Sequence, residues 1–559
     1  MMEKFFSKKD GHIYSSETLL QDIAPSYQKY YDSKIVGAVV NNKLCDLKDK
    51  IGEYENFFFI ELSSELGNRI FKRSVRFLLV TAAAELYPQL EVIVKFTVNS
   101  GLYCVFEPAE MATPEVVNNI ERRMREIVKE GRPFIKRYLH REDAIRLFKD
   151  KRYIAKANLL SGLKREYVSV YYCGDTYDYM FGAMMSNTSE LDKFEIDSFR
   201  DGVLLRSLII GTEDKVATMT DQSKFCSILD ETEKLAGILE CSYVPDLNRY
   251  IRTGKIGELI HLSELLHEIR LSEIAWEIKQ NIAKKRLILI AGPSSSGKTS
   301  FAQRLKMHLR LHNIKAVSVS MDDYYCNRVD TPRLPDGNYD FECLEALDVK
   351  LFNDHLKRLL DGEAVSLPRY NFQTGEREKE GSLPMCLSPD QPIIVEGIHG
   401  LNEALTPIIP REMKYKIYVS ALTPLNLDMH NRLHTTDTRL VRRIVRDYKY
   451  RSSPATKNLR QWESVRAGEE KYIFPFQEEA DAIFNTTLFY ELAVLKKYLV
   501  PIIDEVPKSD PFYTFARSIR DYCDYFESID DESDIPNCSI LREFIGGSWF
   551  FDKDGKLKE

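Results

Sequence analysis

Short apolar runs near the amino terminus follow the two-residue period of half-buried strands. Such runs lie at Ile35–Val40 and 57–60, and the turn signal Asn41-Asn42 lies between them. This pattern predicts a small sheet domain in the first 62 residues.

The period then changes to that of helices. Residues 68–86 predict a helix, and 92–106 predict two strands joined by Asn99-Ser100-Gly101. Pro114–Glu130 is again helical and highly charged, which is typical of a solvated helix face over a core. Beyond about residue 213 the pattern is mainly helical. The first half therefore indicates α+β architecture followed by helices.

A different pattern begins at Lys285. Residues 286–291 form a continuous apolar run, as expected of a parallel strand that is buried on both faces. Helix, turn and strand signals alternate from there to about Asn485, which predicts a doubly wound α/β domain. Its further strands are expected at 316–320, 392–395 and 415–419. The tail after about residue 492 is predicted to be helical, with an acidic break at 528–534.

Composition narrows the class of protein. A chain of 559 residues is long enough for three or more folding units, and 44% apolar with 29% charged residues is typical of globular proteins. The net charge of −7 gives no global attraction to nucleic acid or to an anionic membrane. The ten scattered cysteines, the lack of a signal-peptide core and the lack of a 20-residue apolar stretch predict a soluble, cytoplasmic protein with reduced thiols and no membrane partner.

One segment carries a specific chemical signal, the pattern GxxxxGK[ST] between a buried strand and an amphipathic helix at 300–311. Its glycines let backbone N–H groups converge on phosphate oxygens, and the helix terminus adds further donors. Lys298 is expected to reach the β and γ phosphates, and the Thr299 hydroxyl to bind Mg²⁺. The predicted ATP-binding residues are Gly292, Pro293, Ser294, Ser295, Ser296, Gly297, Lys298, Thr299 and Ser300.

Two carboxylates follow the neighbouring predicted strands. Asp322 comes after 317–321, where ligands bind in open α/β sheets, and it could accept the proton of an attacking hydroxyl group. A solvated acidic turn is the alternative interpretation. Glu396 follows 392–395 and is a candidate metal ligand beside the phosphate loop.

An arginine stripe lies further along the chain. Arg439, Arg442, Arg443 and Arg446 are spaced by three and four residues, so that most of them share one helix face. Such a stripe is usually a solvated face. In a phosphoryl-transfer enzyme it can instead be a mobile helix that closes over the γ-phosphate, and we favour this interpretation.

With these motifs in view, residues of about 285–485 resemble the uridine kinase and phosphoribulokinase family. The matching segments are the phosphate loop, 322–325, 338–342, 368–372, 395–397 and the Asp-x-Arg-Leu-x-Arg-Arg sequence at 437–443. The resemblance implies a general base at Asp322, Mg²⁺ ligands at Thr299 and Glu396, and phosphate-facing groups at Arg442 and Arg443. It also implies an acceptor pocket formed by Tyr325, Phe341, Tyr370 and Arg439.

The chain departs from that family in the acceptor region. Glu342-Cys343-Leu344 stands where uridine kinases usually carry Asp-His-Pro, and Thr374-Gly375-Glu376 stands where they carry a histidine. Because a site that reads base edges depends on such partners, these changes leave the identity of the acceptor open.

The amino-terminal 210 residues resemble two domains of threonyl-tRNA synthetase. Residues 35–47 are similar to its small TGS domain, and 63–210 to its editing domain, with matches at 73–79, 86–88, 101–103 and 178–184. The family's zinc-binding and hydrolytic positions are here Arg73, Phe77, Met180 and Met184, so we expect that chemistry to be lost.

The predicted organisation is thus multidomain: a TGS-like, β-grasp-like domain (1–62), an editing-like α+β domain (63–212), a helical linker (213–275), a doubly wound P-loop kinase-like domain (276–490) and a helical carboxyl-terminal extension (491–559). The predicted function is ATP- and Mg²⁺-dependent phosphorylation of a nucleoside such as uridine or cytidine. A phosphosugar or another metabolite remains an alternative acceptor, and a nucleotide-gated, RNA-binding regulator is the alternative from another class. A homo-oligomer is also left open.

Overall fold

The computed structural model describes residues 6–7, 11, 13–98, 100–334, 337, 339–371, 374–378, 381 and 384–558. Asn99, Asn338 and Phe372, which belong to predicted segments, lie outside these residues. Among the described helices, none is long and apolar enough to cross a membrane.

The first sheet has the strand order β1-β4-β2-β3. Val39 pairs with Phe58 and Leu44, and the turn at Asn41 and Asn42 has the positive φ values that asparagine tolerates. This confirms the sheet that the apolar runs predict. Its elements are β1 (Phe6–Ser7), α1 (Leu20–Tyr27), β2 (Ile35–Val40), β3 (Lys43–Cys45) and β4 (Asn56–Glu61).

Two antiparallel sheets and a long helix follow, with strand orders β10-β11-β6-β5 and β7-β8-β9. The helix α2 begins at a Ser64 cap and buries an apolar face against them. The α+β expectation is confirmed. The elements are α2 (Glu65–Leu86), β5 (Glu91–Val98), β6 (Gly101–Glu107), α3 (Pro114–Glu130), β7 (Ile135–His140), α4 (Arg141–Asp150), α5 (Ile154–Ser161), β8 (Tyr167–Cys173), β9 (Thr176–Asp178), β10 (Phe194–Phe199) and β11 (Gly202–Ser207).

Three helices connect this half to the second one: α6 (Ser223–Ile238), α7 (Val244–Arg252) and α8 (Ile256–Asn281). Buried side chains of α8 join the main core, which continues into the next sheet. The chain beyond residue 213 is therefore helical, as predicted.

The second half is built on a parallel five-stranded sheet with the order β13-β16-β12-β17-β18. All five residues of β12 are buried, because strands pair with it on both sides and helices cover both faces. The predicted strands are confirmed to within two residues, and β18 adds an edge strand. The elements are β12 (Leu287–Ala291), α9 (Lys298–Leu311), β13 (Val317–Ser320), α10 (Val349–Leu360), β14 (Tyr370–Asn371), β15 (Glu376–Arg377), β16 (Ile393–Glu396), β17 (Lys414–Ser420), α11 (Thr435–Arg451), α12 (Ala455–Tyr472) and β18 (Ala482–Asn485).

The carboxyl-terminal segment forms α13 (Glu491–Asp504), α14 (Tyr513–Cys523) and the short α15 (Arg542–Ile545), and no helix is formed at 528–534. Its apolar residues, such as Leu495 and Phe544, belong to the same core as those of α11. This segment is therefore part of the body of the second half.

Candidate active site

The carboxyl ends of β12, β13 and β16 meet at one edge of the parallel sheet. In this register Ile290 pairs with Glu396, and Ser320 pairs with Glu396 from the other side. The phosphate loop, Asp322 and Glu396 therefore share one edge, as the rule for parallel sheets predicts.

The phosphate loop has a backbone that only certain residues can form. A Cβ on Gly292 would lie 1.9 Å from the carbonyl oxygen of Val419, so a glycine is required there. Gly297 has φ of +82°, and Ser295 has φ of +58°, which turns successive N–H groups toward one side. The loop leads directly into the amino terminus of α9, whose dipole also favours an anion.

Lys298 lies in the first turn of α9. Its Nζ donates to the carbonyl oxygens of Gly292 and Pro293, at 2.8 and 3.1 Å. Burial lowers the pKa of Lys298, and the charges of Glu396, Glu543 and Asp322 oppose that shift. Three carboxylates therefore surround one ammonium group at this edge.

Thr299 and Glu396 form the predicted metal-ligand pair. The Thr299 hydroxyl donates to Glu396 Oε1 at 3.0 Å, and Glu396 Oε2 is buried without a hydrogen-bond partner among the described residues. Burial raises the pKa of Glu396 to about 7. A hydroxyl group beside a carboxylate with a free oxygen fits Mg²⁺, which usually takes one or two protein oxygens and completes its shell with water and phosphate.

Asp322 lies just after β13, in a single 3₁₀ turn. It is open to solvent, yet nearby protein atoms partly desolvate its carboxyl group. Burial raises the pKa of its carboxyl group, and Lys298 partly offsets this shift. A solvated acidic turn therefore stays the alternative interpretation of this residue. Asp323, next to it, accepts a hydrogen bond from the backbone N–H of Tyr370 at 3.2 Å.

Three predicted acceptor-site aromatics are neighbours. The ring of Tyr325 lies 6.2 Å from that of Phe341 and 5.7 Å from that of Tyr370. Glu342 follows Phe341, and its carboxyl group interacts electrostatically with Lys298 and Arg443. A Cβ on Gly468 would lie 3.1 Å from Glu342, so glycine lets α12 approach this segment. These side chains form one wall of the cleft.

The arginine stripe lies on α11 and packs against the phosphate loop. Arg439 donates to the Ser294 carbonyl oxygen at 3.1 Å and is paired twice with Glu469, while Arg443 donates to the Ser294 hydroxyl at 2.9 Å. Arg442 is fully buried, with hydrogen bonds to Glu491. The usual interpretation of such a stripe as a solvated face is therefore wrong here.

The structure separates some residues that the resemblance groups together. The contacts described for Arg439 are with the phosphate loop, Glu469 and the Trp462 ring, not with the three aromatics. Arg442 also contacts Thr486 and the Phe544 ring. Of the stripe, Arg443 is the member whose described contacts include a side chain of the phosphate loop.

Sequence reasoning missed the acidic partners of this site. Glu469 and Glu491 hold the two arginines, and Glu543 in α15 accepts a hydrogen bond from Ser300 at 2.7 Å. Ile540, nearby, lies 2.7 Å from where a Cβ on Gly297 would be. No local motif marks these residues, because each reaches the site through tertiary packing.

Residues 287–489 match the model of the Phosphoribulokinase / Uridine kinase family. Over this segment the chain is therefore similar to the kinases of that family.

The amino-terminal region is similar to threonine–tRNA ligases. The ligase of Carboxydothermus hydrogenoformans is 31% identical over 160 residues, which are 28% of this chain and 25% of the ligase. That of Francisella philomiragia is 28% identical over 269 residues, or 46% of this chain and 39% of the ligase. The match thus spans between a quarter and two-fifths of these relatives.

Among solved structures, a possible uridine kinase from Bacillus stearothermophilus is similar at 20% identity. The match covers 38% of this chain and 98% of that chain, with a TM-score of 0.25.

Proposed function

We propose that the kinase domain transfers the γ-phosphate of ATP to a hydroxyl group of a small neutral acceptor, the ribose of a nucleoside such as uridine or cytidine. The observation that carries this proposal is the position of Asp322. It lies at the carboxyl end of β13, where its carboxyl group interacts electrostatically with Lys298 of the phosphate loop, and the neighbouring rings of Tyr325, Phe341 and Tyr370 come from segments that follow it in the chain.

The chemistry follows from these positions. The acceptor hydroxyl gives its proton to Asp322, and the acceptor oxygen forms a bond to the γ-phosphorus. The bond between that phosphorus and the β,γ-bridging oxygen breaks, which releases ADP. A carboxyl group whose pKa is raised by burial is a stronger base than an ordinary aspartate. Lys298 and Arg443 are the cations placed beside the loop to stabilise the phosphoryl oxygens.

Thr299 and Glu396 would hold Mg²⁺, which when bound neutralises charge on the β and γ oxygens. The Thr299 hydroxyl donates to Glu396 and fixes the orientation of its carboxyl group. The loop N–H groups and the start of α9 position the phosphates at the same time.

The charges of the cleft favour a neutral acceptor over a phosphosugar. Asp322 and Glu342 both carry carboxyl groups on the acceptor side, and Glu342 replaces a family residue. A phosphorylated acceptor would place a dianion near these groups, and like charges repel strongly in a partly desolvated site. Aromatic rings with carboxylates suit a base and its sugar hydroxyl groups.

A panel of nucleosides, sugars and phosphosugars incubated with ATP and Mg²⁺ tests this proposal, with phosphorylated product as the readout. Lys298→Ala serves as the inactive control. Product from a neutral nucleoside or polyol is expected. If no acceptor is phosphorylated while structured RNA binds and stimulates ATP hydrolysis, the chain is a nucleotide-gated regulator.

A further inference from the structure

A cluster of arginines includes Arg73, which stands at one of the positions where the resembling editing domain carries its zinc ligands. Arg73 lies on α2, and its Nη1 donates to the carbonyl oxygen of Ala183. Gly182 has φ of +104°, and a Cβ there would lie 2.8 Å from the Arg73 guanidinium carbon. A glycine at this position therefore lets the guanidinium group lie against the backbone.

Two more arginines approach from different segments. Arg76 lies on the same helix, and its Nη2 is 3.9 Å from the sulfur of Met180. Its Nε is buried and has no hydrogen-bond partner in the described part of the chain. Arg432 comes from the kinase half, in the segment between β17 and α11, and donates to the Thr97 hydroxyl. The cluster thus draws on both halves of the molecule.

These three arginines lack acidic partners. Within the described ranges, no carboxylate oxygen lies within 4.0 Å of a guanidinium nitrogen of Arg73, Arg76 or Arg432. Arg69, one turn before Arg73, is different, because Asp437 and Glu65 both pair with it.

The acidic residues nearest to the cluster are already engaged. Asp178 and Asp428 attract Arg76, but Asp178 is paired with Lys156 and His430, and Asp428 lies 3.6 Å from Lys156. Burial lowers the pKa of Arg73 and of Arg432 to about 10, and repulsion from Arg76 adds to both shifts. Arg73 and Arg432 are therefore charged at neutral pH.

We propose that this cluster is a binding site for the phosphate group of a ligand, with Arg73, Arg76 and Arg432 as its donors. Buried cations are costly unless an anion compensates them, and guanidinium groups match the oxygens of phosphate in a bidentate manner. Three of them suit a phosphate dianion better than a single carboxylate. This site is separate from the phosphate loop and does not depend on the proposed kinase activity.

The site lies next to the start of α11. His434 is the amino-terminal cap position of that helix, and Arg69, Arg73, Arg76 and Arg432 all act on its pKa, which burial holds well below the usual range. A neutral His434 adds no positive charge, so that the positive charge of the cluster comes from the arginines.

The test is a calorimetric titration of the full chain with inorganic pyrophosphate, repeated in Lys298→Ala to remove binding at the phosphate loop. Binding is expected to persist in Lys298→Ala and to weaken at least about tenfold in Arg76→Gln and in Arg432→Gln. Arg146→Gln, at an exposed arginine of α4, is the matched control and should bind like the wild type.

The opposite pattern overturns the proposal: binding that is lost in Lys298→Ala, or that is unchanged in both cluster variants. The melting temperature of each variant shows whether it is folded. Because Arg76 and Arg432 come from different halves of the chain, either variant alone still tests the proposal when the other does not fold. Competition by a nucleoside monophosphate or by a short single-stranded RNA then distinguishes a free metabolite from a polynucleotide as the source of the phosphate.

Discussion

At the scale of single residues, Asp322 carries the argument for phosphoryl transfer to an acceptor, because ATP binding alone needs no such carboxylate. Asp323 is a suitable control residue, because it is the next carboxylate in the chain and accepts a hydrogen bond from the backbone N–H of Tyr370. Comparing variants of Asp322 and Asp323 therefore distinguishes a catalytic role of Asp322 from a general effect of removing a negative charge.

We expect Asp322→Asn to lower kcat/KM by about a hundredfold or more, since removing a general base typically costs that factor. Affinity for a non-hydrolysable ATP analogue should change less than about threefold, because the loop itself is intact. Steady-state kinetics and calorimetry measure the two quantities. Asp323→Asn should keep most of the activity, and equal losses in both variants would refute the assignment of the base.

Thr299 gives a second prediction at this scale. Thr299→Val keeps the shape of the side chain but removes the hydroxyl that bonds to Glu396. The Mg²⁺ concentration needed for half-maximal activity should rise about tenfold or more, whereas Thr299→Ser should remain close to wild type. A Thr299→Val enzyme with an unchanged Mg²⁺ requirement would remove Thr299 from the metal site.

At the scale of elements, the carboxyl-terminal segment supports the phosphate loop from outside. Ile540 packs beside Gly297, and Glu543 accepts from Ser300 while its charge reaches both Lys298 and Glu396. The segment therefore contributes a carboxylate to a site that is built mainly on the parallel sheet.

Glu543→Gln keeps an acceptor for Ser300 but removes a negative charge near the bound triphosphate. We expect the KM for ATP to fall about two- to fivefold, because repulsion between like charges is relieved. Glu532→Gln, in the same segment and paired with Arg542, is the control. A rise in the KM for ATP would instead assign Glu543 a part in holding the metal.

Those elements also show what the sequence can predict. The strand, loop and helix around Lys298 are encoded locally, and the parallel-sheet rule then places Asp322 and Glu396 beside them without further information. Glu469, Glu491 and Glu543 could not be found in this way, because they reach the site through packing of α12, α13 and α15. For the same reason the spacing of the stripe did not reveal that Arg442 is buried.

At the scale of the whole molecule, the two halves are joined by buried polar contacts. Arg69 of α2 pairs with Asp437 of α11 through two hydrogen bonds of 2.7 and 2.9 Å. His430 of the second half donates a buried hydrogen bond of 2.6 Å to the carboxylate of Asp178. The synthetase-like half is thus in direct contact with the helix that packs on the phosphate loop.

A double-mutant cycle of Arg69→Leu and Asp437→Leu measures that connection. Arg69→Leu should destabilise the protein by about 3 kcal/mol, since it leaves the Asp437 carboxylate without this partner, whereas Asp437→Leu should cost less because Glu65 still pairs with Arg69. The double variant should recover part of the loss. Thermal or denaturant unfolding gives the values. Strictly additive effects would show that the pair contributes no coupling between the halves.

Acidification should also destabilise the molecule as a whole. Burial lowers the pKa of His267 to about 3 and that of His399 to about 4, from the usual value of 6.5. The unfolded chain therefore binds more protons than the folded one below pH 6.5, and stability falls as the pH drops from 6.5 toward 4. His399→Gln should flatten this dependence in melting curves, while an unchanged slope would show that His399 does not contribute to it.

The central claim is that the cleft between Lys298, Asp322 and the ring of Tyr325 transfers phosphate to a neutral hydroxyl acceptor. Its most direct test is mass-spectrometric detection of phosphorylated product from a nucleoside and sugar panel with ATP and Mg²⁺. The structure predicts product from a neutral nucleoside or polyol, and its loss in Asp322→Asn but not in Asp323→Asn. Product from phosphosugars alone, or full activity of Asp322→Asn, would contradict the account.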